Sequence, residues 1–94
     1  MDLGNRLDAL LELAEQLGID IRAEAMGGGG GGICRLRGAR VLFVDTSADL
    51  MTRYDRTLAA LAPLEELDGR YICPEVRQDI ERQRQALPRG RSAE

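Results

Sequence analysis

The sequence predicts a small α+β domain in which an N-terminal helix precedes a three-stranded antiparallel sheet and two C-terminal helices (α-β-β-β-α-α). Three patterns predict it: apolar residues at helical spacing before residue 18, alternating or continuous apolar runs over residues 19–45, and helical spacing again from Leu50. A chain of 94 residues fits a single domain spanning 1–94. The core of such a domain is modest, so self-association would add stability.

The first predicted helix carries one apolar stripe. Its members are Leu3, Leu7, Leu10, Leu11, Ala14 and Leu17. Asp2 can cap the start of the helix, and Gly18 is placed to end it in a left-handed turn. The same spacing matches a coiled-coil seam, but two heptads are too few to establish one, so we expect the stripe to cover the sheet.

Three strands are predicted to follow. Residues 19–26 alternate apolar with polar, residues 33–37 alternate less regularly, and a turn at Gly38 and Ala39 leads into residues 40–45. The last run is apolar on both faces, which predicts the central and most buried strand. Short connections favour an antiparallel meander, because a parallel pair needs a long crossover.

Six consecutive glycines at residues 27–32 separate the first two predicted strands. Glycine loses more backbone freedom on ordering than any other residue, so we expect a flexible loop that acts as a hinge or a binding loop. Phosphate-binding glycine loops usually open a helix and often carry a lysine. Strands flank this loop and no lysine follows, which argues against a nucleotide site. The candidate ligand-binding glycines are Gly28, Gly30 and Gly32.

The C-terminal half predicts two helices and a short connection. The first repeats Leu50, Tyr54, Leu58 and Leu61 and ends at Pro63. Residues 65–67 predict one further helical turn. Pro74 suits the first turn of the last helix, whose thin apolar edge is formed by Val76, Ile80, Gln83 and Leu87. Residues 88–94 are expected to fray.

Composition limits the chemistry that this chain can perform. It has no histidine, the commonest general base and metal ligand, and a net charge of −3 opposes non-specific nucleic-acid binding. The longest strongly apolar run, residues 41–44, is far too short to span a membrane. We therefore predict no metal, no cofactor and no membrane insertion. The enzyme question stays open, with a non-catalytic role favoured.

Cys34 and Cys73 are the candidate reactive thiols. Cys73 directly precedes Pro74 at a predicted helix start, where backbone donors and the helix dipole favour a thiolate. No histidine is present to act as a base, and two thiols cannot complete a four-ligand zinc site without aspartates or a second chain. Free cysteines are usually buried, so packing is the favoured interpretation. Two cysteines without a secretory signal are typical of a reduced, cytoplasmic protein.

Two polar groups near the predicted second hairpin are further candidates. Asp45 ends the central strand and could bind a hard cation or act as an acid or base, although a strand-to-helix turn needs the same residue types. Arg35, Arg37 and Arg40 concentrate positive charge, and Arg forks recognise phosphates and carboxylates. Ion pairs with the many acidic residues, within or between chains, are favoured over nucleic-acid binding.

Four short motifs lie along the chain: LGIDIR at residues 17–22, GGICRLRG at 31–38, RVLFVD at 40–45 and PEVR at 74–77. With these motifs the chain resembles a family of small uncharacterised bacterial proteins. The resemblance covers most of the chain. It implies no activity, because none is assigned to that family.

The predicted order of elements, ending in a helix that contains RTLA at residues 56–59, is similar to the opening of the zinc metallopeptidases that cleave phage-type repressors. That family carries His-Glu-x-x-His in the corresponding helix. Here Ala60, Leu61 and Leu64 stand at the first His, the Glu and the second His. The likeness therefore implies a scaffold without its metal chemistry.

These observations predict a cytoplasmic, non-catalytic interaction module that self-associates or binds a protein partner. A first alternative is a redox or metal-linked enzyme or sensor that uses Cys34 and Cys73, with Asp45 assisting. A further alternative is anion or nucleic-acid binding by the three arginines of the second hairpin.

Overall fold

The computed structural model describes residues 1–29 and 31–86 of the chain. In order, the elements are helix α1 (Leu3–Gln16), strands β1 (Asp20–Glu24), β2 (Gly31–Leu36) and β3 (Ala39–Asp45), helix α2 (Leu50–Leu61), a 3₁₀ helix (Glu65–Gly69) and helix α3 (Pro74–Ala86). The α+β class and the order of elements are confirmed, and the 3₁₀ helix contains the helical turn predicted at 65–67. The fraying expected at 88–94 lies outside the described residues.

The helices begin and end where capping residues stand in the sequence. Asp2 and Asp49 each accept a hydrogen bond from the backbone N–H three residues later, at 2.8 Å. Gly18 ends α1 with a φ of +79°, and the N–H groups of Gly18 and Ile19 bond carbonyls of the last turn. No helix among the described residues combines the length and the hydropathy needed to cross a membrane.

The sheet is mixed, so the prediction of a purely antiparallel meander is wrong. The strand order is β1-β3-β2, with β3 antiparallel to β2 and parallel to β1. The physical reason is the length of the connection between Glu24 and Gly31, which allows the chain to pass the end of β3 before β2 begins. The glycine loop predicted at 27–32 is shorter than expected, because Gly31 and Gly32 are the first residues of β2. The most apolar strand therefore occupies the centre, as its sequence predicted, and the charged β1 lies at an edge.

A two-residue turn joins β2 and β3. Arg37 has a φ of +54° and Gly38 a φ of +83°. Two consecutive positive φ values are typical of a type I′ turn, whose twist matches that of the flanking strands. The turn therefore consists of Arg37 and Gly38, and Ala39 is not part of it because β3 begins there.

One hydrophobic core fills the space between the sheet and the helices. Helices α1 and α2 pack on one face of the sheet, and α3 packs on both of these helices. The largest fully buried apolar side chains are Leu10, Leu42, Leu61, Leu67 and Val76. Each contributes about 1.5–3 kcal/mol relative to an exposed position. The core cluster contains Leu42 and Val44 of β3, which identifies the face that the helices cover.

Candidate functional site

The glycine loop is attached to the end of β3 by Asp45, the last residue of that strand. The Met26 N–H donates to Asp45 Oδ1 at 2.8 Å, and the Gly28 N–H donates to Oδ2 at 2.7 Å. Beside them, the Thr46 N–H donates to the Glu24 carbonyl at 2.9 Å. The first half of the loop is therefore tied to the sheet, whereas Gly30 lies outside the described residues.

Ser47 also donates to the Asp45 carboxylate. Its N–H and hydroxyl donate to Oδ1 at 2.9 and 2.6 Å. Asp45 is fully buried, and hydrogen bonds to a charged acceptor contribute about 1.5–3 kcal/mol each, which offsets the desolvation of the carboxylate. Converging backbone donors are what an anion-binding loop uses. Here the chain supplies its own anion, and the Gly28 N–H, a candidate ligand donor, already bonds Asp45.

Gly31 occupies a position that a side chain cannot share. It opens β2 with a φ of +92°, and a Cβ added there would lie 2.0 Å from the Phe43 carbonyl oxygen. The neighbouring Gly32, a predicted ligand-binding residue, lies opposite Phe43 and has open space where a Cβ would be. Of these two adjacent glycines, only Gly31 is required by the close approach of β3.

The structure places two of the three candidate arginines side by side, because Arg35 and Arg40 are cross-strand partners, whereas Arg37 lies in the turn between their strands. Arg40 donates to both carboxylate oxygens of Glu66, at 2.6 and 3.0 Å, and to the Leu17 carbonyl at 3.0 Å. This hydrogen bonding holds the pKa of the Glu66 carboxyl below its usual range. Arg35 donates to the carbonyl of Gly38 at 3.1 Å. Arg40 is therefore an ion-pair residue, as the sequence favoured.

The third of these arginines, Arg37, borders a groove on the face of the sheet opposite Leu42 and Val44. We call this side, which carries Val41 and Phe43, the uncovered face. Cross-strand partners share a face, so Asp20, Val41 and Cys34 form one row there, and Arg22, Phe43 and Gly32 form the next.

The groove on this face has a volume of about 400 Å³ and is lined by Asp20, Arg22, Leu36, Arg37, Ala39 and Val41. Leu36 is 44% exposed.

The two cysteines lie on opposite sides of the sheet, and both are free thiols. Cys34 is exposed on the uncovered face, so the expectation that it packs in the core is wrong. The physical reason is that β2 is an edge strand with helices on its other face only. Cys73 is half-buried against the core, directly before α3, with its Sγ 3.7 Å from Met1 Sδ. The structure thus does not bring the two candidate thiols together.

A second buried carboxylate, Asp79 of α3, was not singled out from the sequence. Its Oδ2 accepts from the Tyr54 hydroxyl at 2.5 Å and from Arg6 Nη1 at 3.0 Å, and its Oδ1 accepts from Arg82. We call these four residues the Asp79 cluster. Burial, reinforced by the hydrogen bond to Asp79, raises the pKa of the Tyr54 hydroxyl well above its usual range.

The Asp79 cluster borders a cavity of about 390 Å³ between the helices, with Leu3, Met51 and Leu58 among its other lining residues. One sequence signal could have identified it. Asp79 lies on the same helical stripe as Val76 and Ile80, and an acidic residue at a core-facing position needs a partner. The partners come from α1 and α2, far away in the sequence, and no local pattern names them.

Both outer strands keep an open edge. Within residues 1–29 and 31–86, β1 and β2 each pair with β3 and with no other strand. The N–H and C=O groups along such an edge are a template for another strand. The described part of the sheet therefore offers two edges and one face to a partner.

The described residues hold no cluster of three or more metal-ligating side chains. The positions that correspond to the peptidase motif carry apolar side chains: Ala60 and Leu61 end α2, and Leu64 lies beyond that helix. Asp45, the one carboxylate proposed to assist a thiol, is hydrogen-bonded to the loop. Its proposed catalytic role remains a hypothesis.

Comparison of the chain with known protein families, curated proteins and solved structures found no match. Both resemblances drawn from the sequence remain hypotheses, and the geometry described above is the basis for a functional proposal.

Proposed function

We propose that this chain is a non-catalytic interaction module that assembles with a second copy of itself through its sheet. One observation carries the proposal. Both outer strands of the three-stranded sheet keep an unpaired edge among the described residues, and the described helices pack on one face of that sheet only. Open strand edges promote association with another chain unless they are protected.

The size of the core supports self-association. A chain of 94 residues buries a smaller fraction of its surface than a larger domain does, and its margin of stability is correspondingly small. On the uncovered face, Val41 at the centre is buried, but Leu36 is exposed and Phe43 is only half-buried. Pairing with a second copy through an outer strand would extend the sheet and satisfy the unpaired N–H and C=O groups of that edge.

The polar clusters support a structural role more than a catalytic one. Asp45 accepts hydrogen bonds from the loop and the following turn, and Asp79 is bonded to a tyrosine and two arginines. Arg40 is engaged by Glu66. These groups hold loops and helices in place, which is what an interaction scaffold requires.

Sedimentation equilibrium over a concentration series that reaches about 1 mM tests this proposal, since a millimolar Kd corresponds to about −4 kcal/mol. We expect the average mass to rise reversibly from monomer to dimer, and to be unchanged by a reductant. A monomer over the whole range would contradict the proposal. A dimer that dissociates on reduction would instead favour the cysteine-dependent alternative through Cys34.

A further inference from the structure

The two open edges of the sheet differ in their charge. β2 begins with two glycines, which weaken a strand, and Arg35 is its one charged residue. β1 presents Asp20, Arg22 and Glu24 in alternation, all on the uncovered face. An alternating negative, positive, negative row is able to complement a second copy of itself, so β1 is the edge to consider.

One hydrogen bond identifies which residues of β1 point their N–H and C=O groups away from β3. The Glu24 carbonyl accepts from the Thr46 N–H, so the peptide groups of Glu24 point toward β3. Because these groups alternate along a strand, those of Ile21 and Ala23 point away from β3. An antiparallel partner can exchange paired N–H and C=O bonds with these two residues.

Antiparallel registers whose two-fold axis passes through a residue place two copies of β1 together with the same face upward, and three of them centre on an interior residue of the strand. With Arg22 on the two-fold axis, Arg22 lies opposite its own copy and Asp20 lies opposite Glu24, so all these pairs are of like charge. With Ala23 on the axis, Arg22 of each copy lies opposite Glu24 of the other. With Ile21 on the axis, Asp20 of each copy lies opposite Arg22 of the other. Opposed unlike charges contribute about 0.2–1 kcal/mol per cross-strand pair, and like charges destabilise.

Burial distinguishes the two registers with matched charges. The Ile21 register would draw Ile19 into the contact, and that side chain is 2% exposed and belongs to the core. The Ala23 register uses the segment from Ile21 to Ala25, in which Ile21 is half-buried and the other four residues are exposed. Its axis lies at a small alanine side chain, which leaves room for the partner.

From these points we infer that a second copy of this chain adds to β1 in the antiparallel register centred on Ala23. Arg22 of each copy then pairs with Glu24 of the other, and the two sheets join into one six-stranded sheet. The inference rests on the proposed self-association and specifies its edge and its register.

Charge reversal tests this register. R22E places a negative charge opposite Glu24 in both cross-strand pairs of the dimer, and E24R places a positive charge opposite Arg22 in both. Each variant alone is expected to raise the dimer Kd at least about tenfold in sedimentation equilibrium. Mixing the two variants restores both opposite-charge pairs, so we expect a heterodimer, and the R22E/E24R double variant is expected to dimerise like the original chain. Circular dichroism checks that each variant is folded.

R35E is the matched control, because it makes the same charge change on the other edge strand. We expect it to leave the Kd unchanged. A dimer disrupted by R35E but not by R22E would overturn the inference in favour of the β2 edge. Sensitivity to R22E without sensitivity to E24R would overturn the Ala23 register in favour of the Ile21 register. A dimer indifferent to all three changes would refute the β1 contact while leaving self-association intact.

Discussion

The glycine-loop end of the sheet and the helical layer each bury a carboxylate, but they surround it with different groups. Asp45 is held by backbone N–H groups and by Ser47, all within 19 residues of it in the sequence. Asp79 is held by the hydroxyl of Tyr54 and the guanidinium groups of Arg6 and Arg82, and two of these partners lie 25 and 73 residues away.

The difference shows what each region depends on. Around Asp45 the donors belong to the main chain, so their positions follow from backbone conformation and hence from glycine at the critical residues. Around Asp79 the donors are long side chains on different helices, so their positions follow from helix packing. The loop end is therefore sensitive to a single added methyl group, whereas the helical layer is able to lose one hydrogen-bond donor and keep its packing.

The largest effect is expected from Gly31→Ala, which tests how strongly the loop end depends on its backbone. The new Cβ would lie 2.0 Å from the Phe43 carbonyl oxygen at a φ of +92°. We expect a loss of about 3 kcal/mol or more in the free energy of unfolding, from overlap and backbone strain together. Urea denaturation measures it. Gly32→Ala is the matched control and should cost less than about 1 kcal/mol; equal losses at both positions would contradict the argument.

Asp45→Ala removes the carboxylate itself and leaves the N–H groups of Met26, Gly28 and Ser47 without this acceptor. We expect the free energy of unfolding to fall by about 3 kcal/mol. Asp45→Asn should cost less than Asp45→Ala, because its amide keeps one acceptor oxygen. Hydrogen exchange measures the local effect, with faster exchange expected at the Met26 and Gly28 amides. Unchanged protection at these amides would show that Asp45 does not hold the loop.

Tyr54→Phe makes the smallest change, the loss of one hydroxyl from the Asp79 cluster. We expect a loss of about 1–2 kcal/mol near neutral pH, because Asp79 keeps its arginines. The original chain should also lose stability as the pH rises above about 10, the usual pKa of tyrosine. The reason is that the Tyr54 pKa is raised in the folded state, so the folded chain retains a proton that the unfolded chain releases.

In Tyr54→Phe this contribution to alkaline destabilisation should be absent, so the stability difference between the two proteins should shrink above pH 10. Thermal denaturation at a series of pH values measures it. Tyr71→Phe, at a side chain that is 84% exposed, is the matched control and should leave the pH profile unchanged. A parallel decline of the Tyr54→Phe protein and the original chain would assign the alkaline loss to other groups.

Much of the fold could be predicted because its signals are local. Asp2, Asp49 and Gly18 mark helix ends through contacts within a few residues, and the apolar run at 40–45 correctly predicted the central strand. The strand directions were not predictable in this way. A meander is the economical assumption for short connections, but the connection after β1 allows the chain to pass the end of β3, and no spacing rule states whether β1 pairs with β2 or with β3.

The candidate site was predicted less completely, for the same physical reason. Asp45 was identified as a polar residue at a strand end, and its partner Ser47 lies two residues away. The Gly28 contact depends on how the loop folds back, and the separation of Arg37 from Arg40 depends on which face each one occupies. Asp79 carried a signal in its core-facing position, but its partners Arg6 and Tyr54 belong to other helices.

By itself, the sequence determined the class of the fold, the helix caps, the central position of the apolar strand and the absence of histidine chemistry. These follow from residue type and short-range spacing, which act before the chain is folded. Only the tertiary structure decided the parallel pairing of β1 with β3, the attachment of the loop to Asp45, the burial of Asp79 and the exposure of Cys34. Each of these depends on which distant surfaces meet, and that is set by the packing of the whole core.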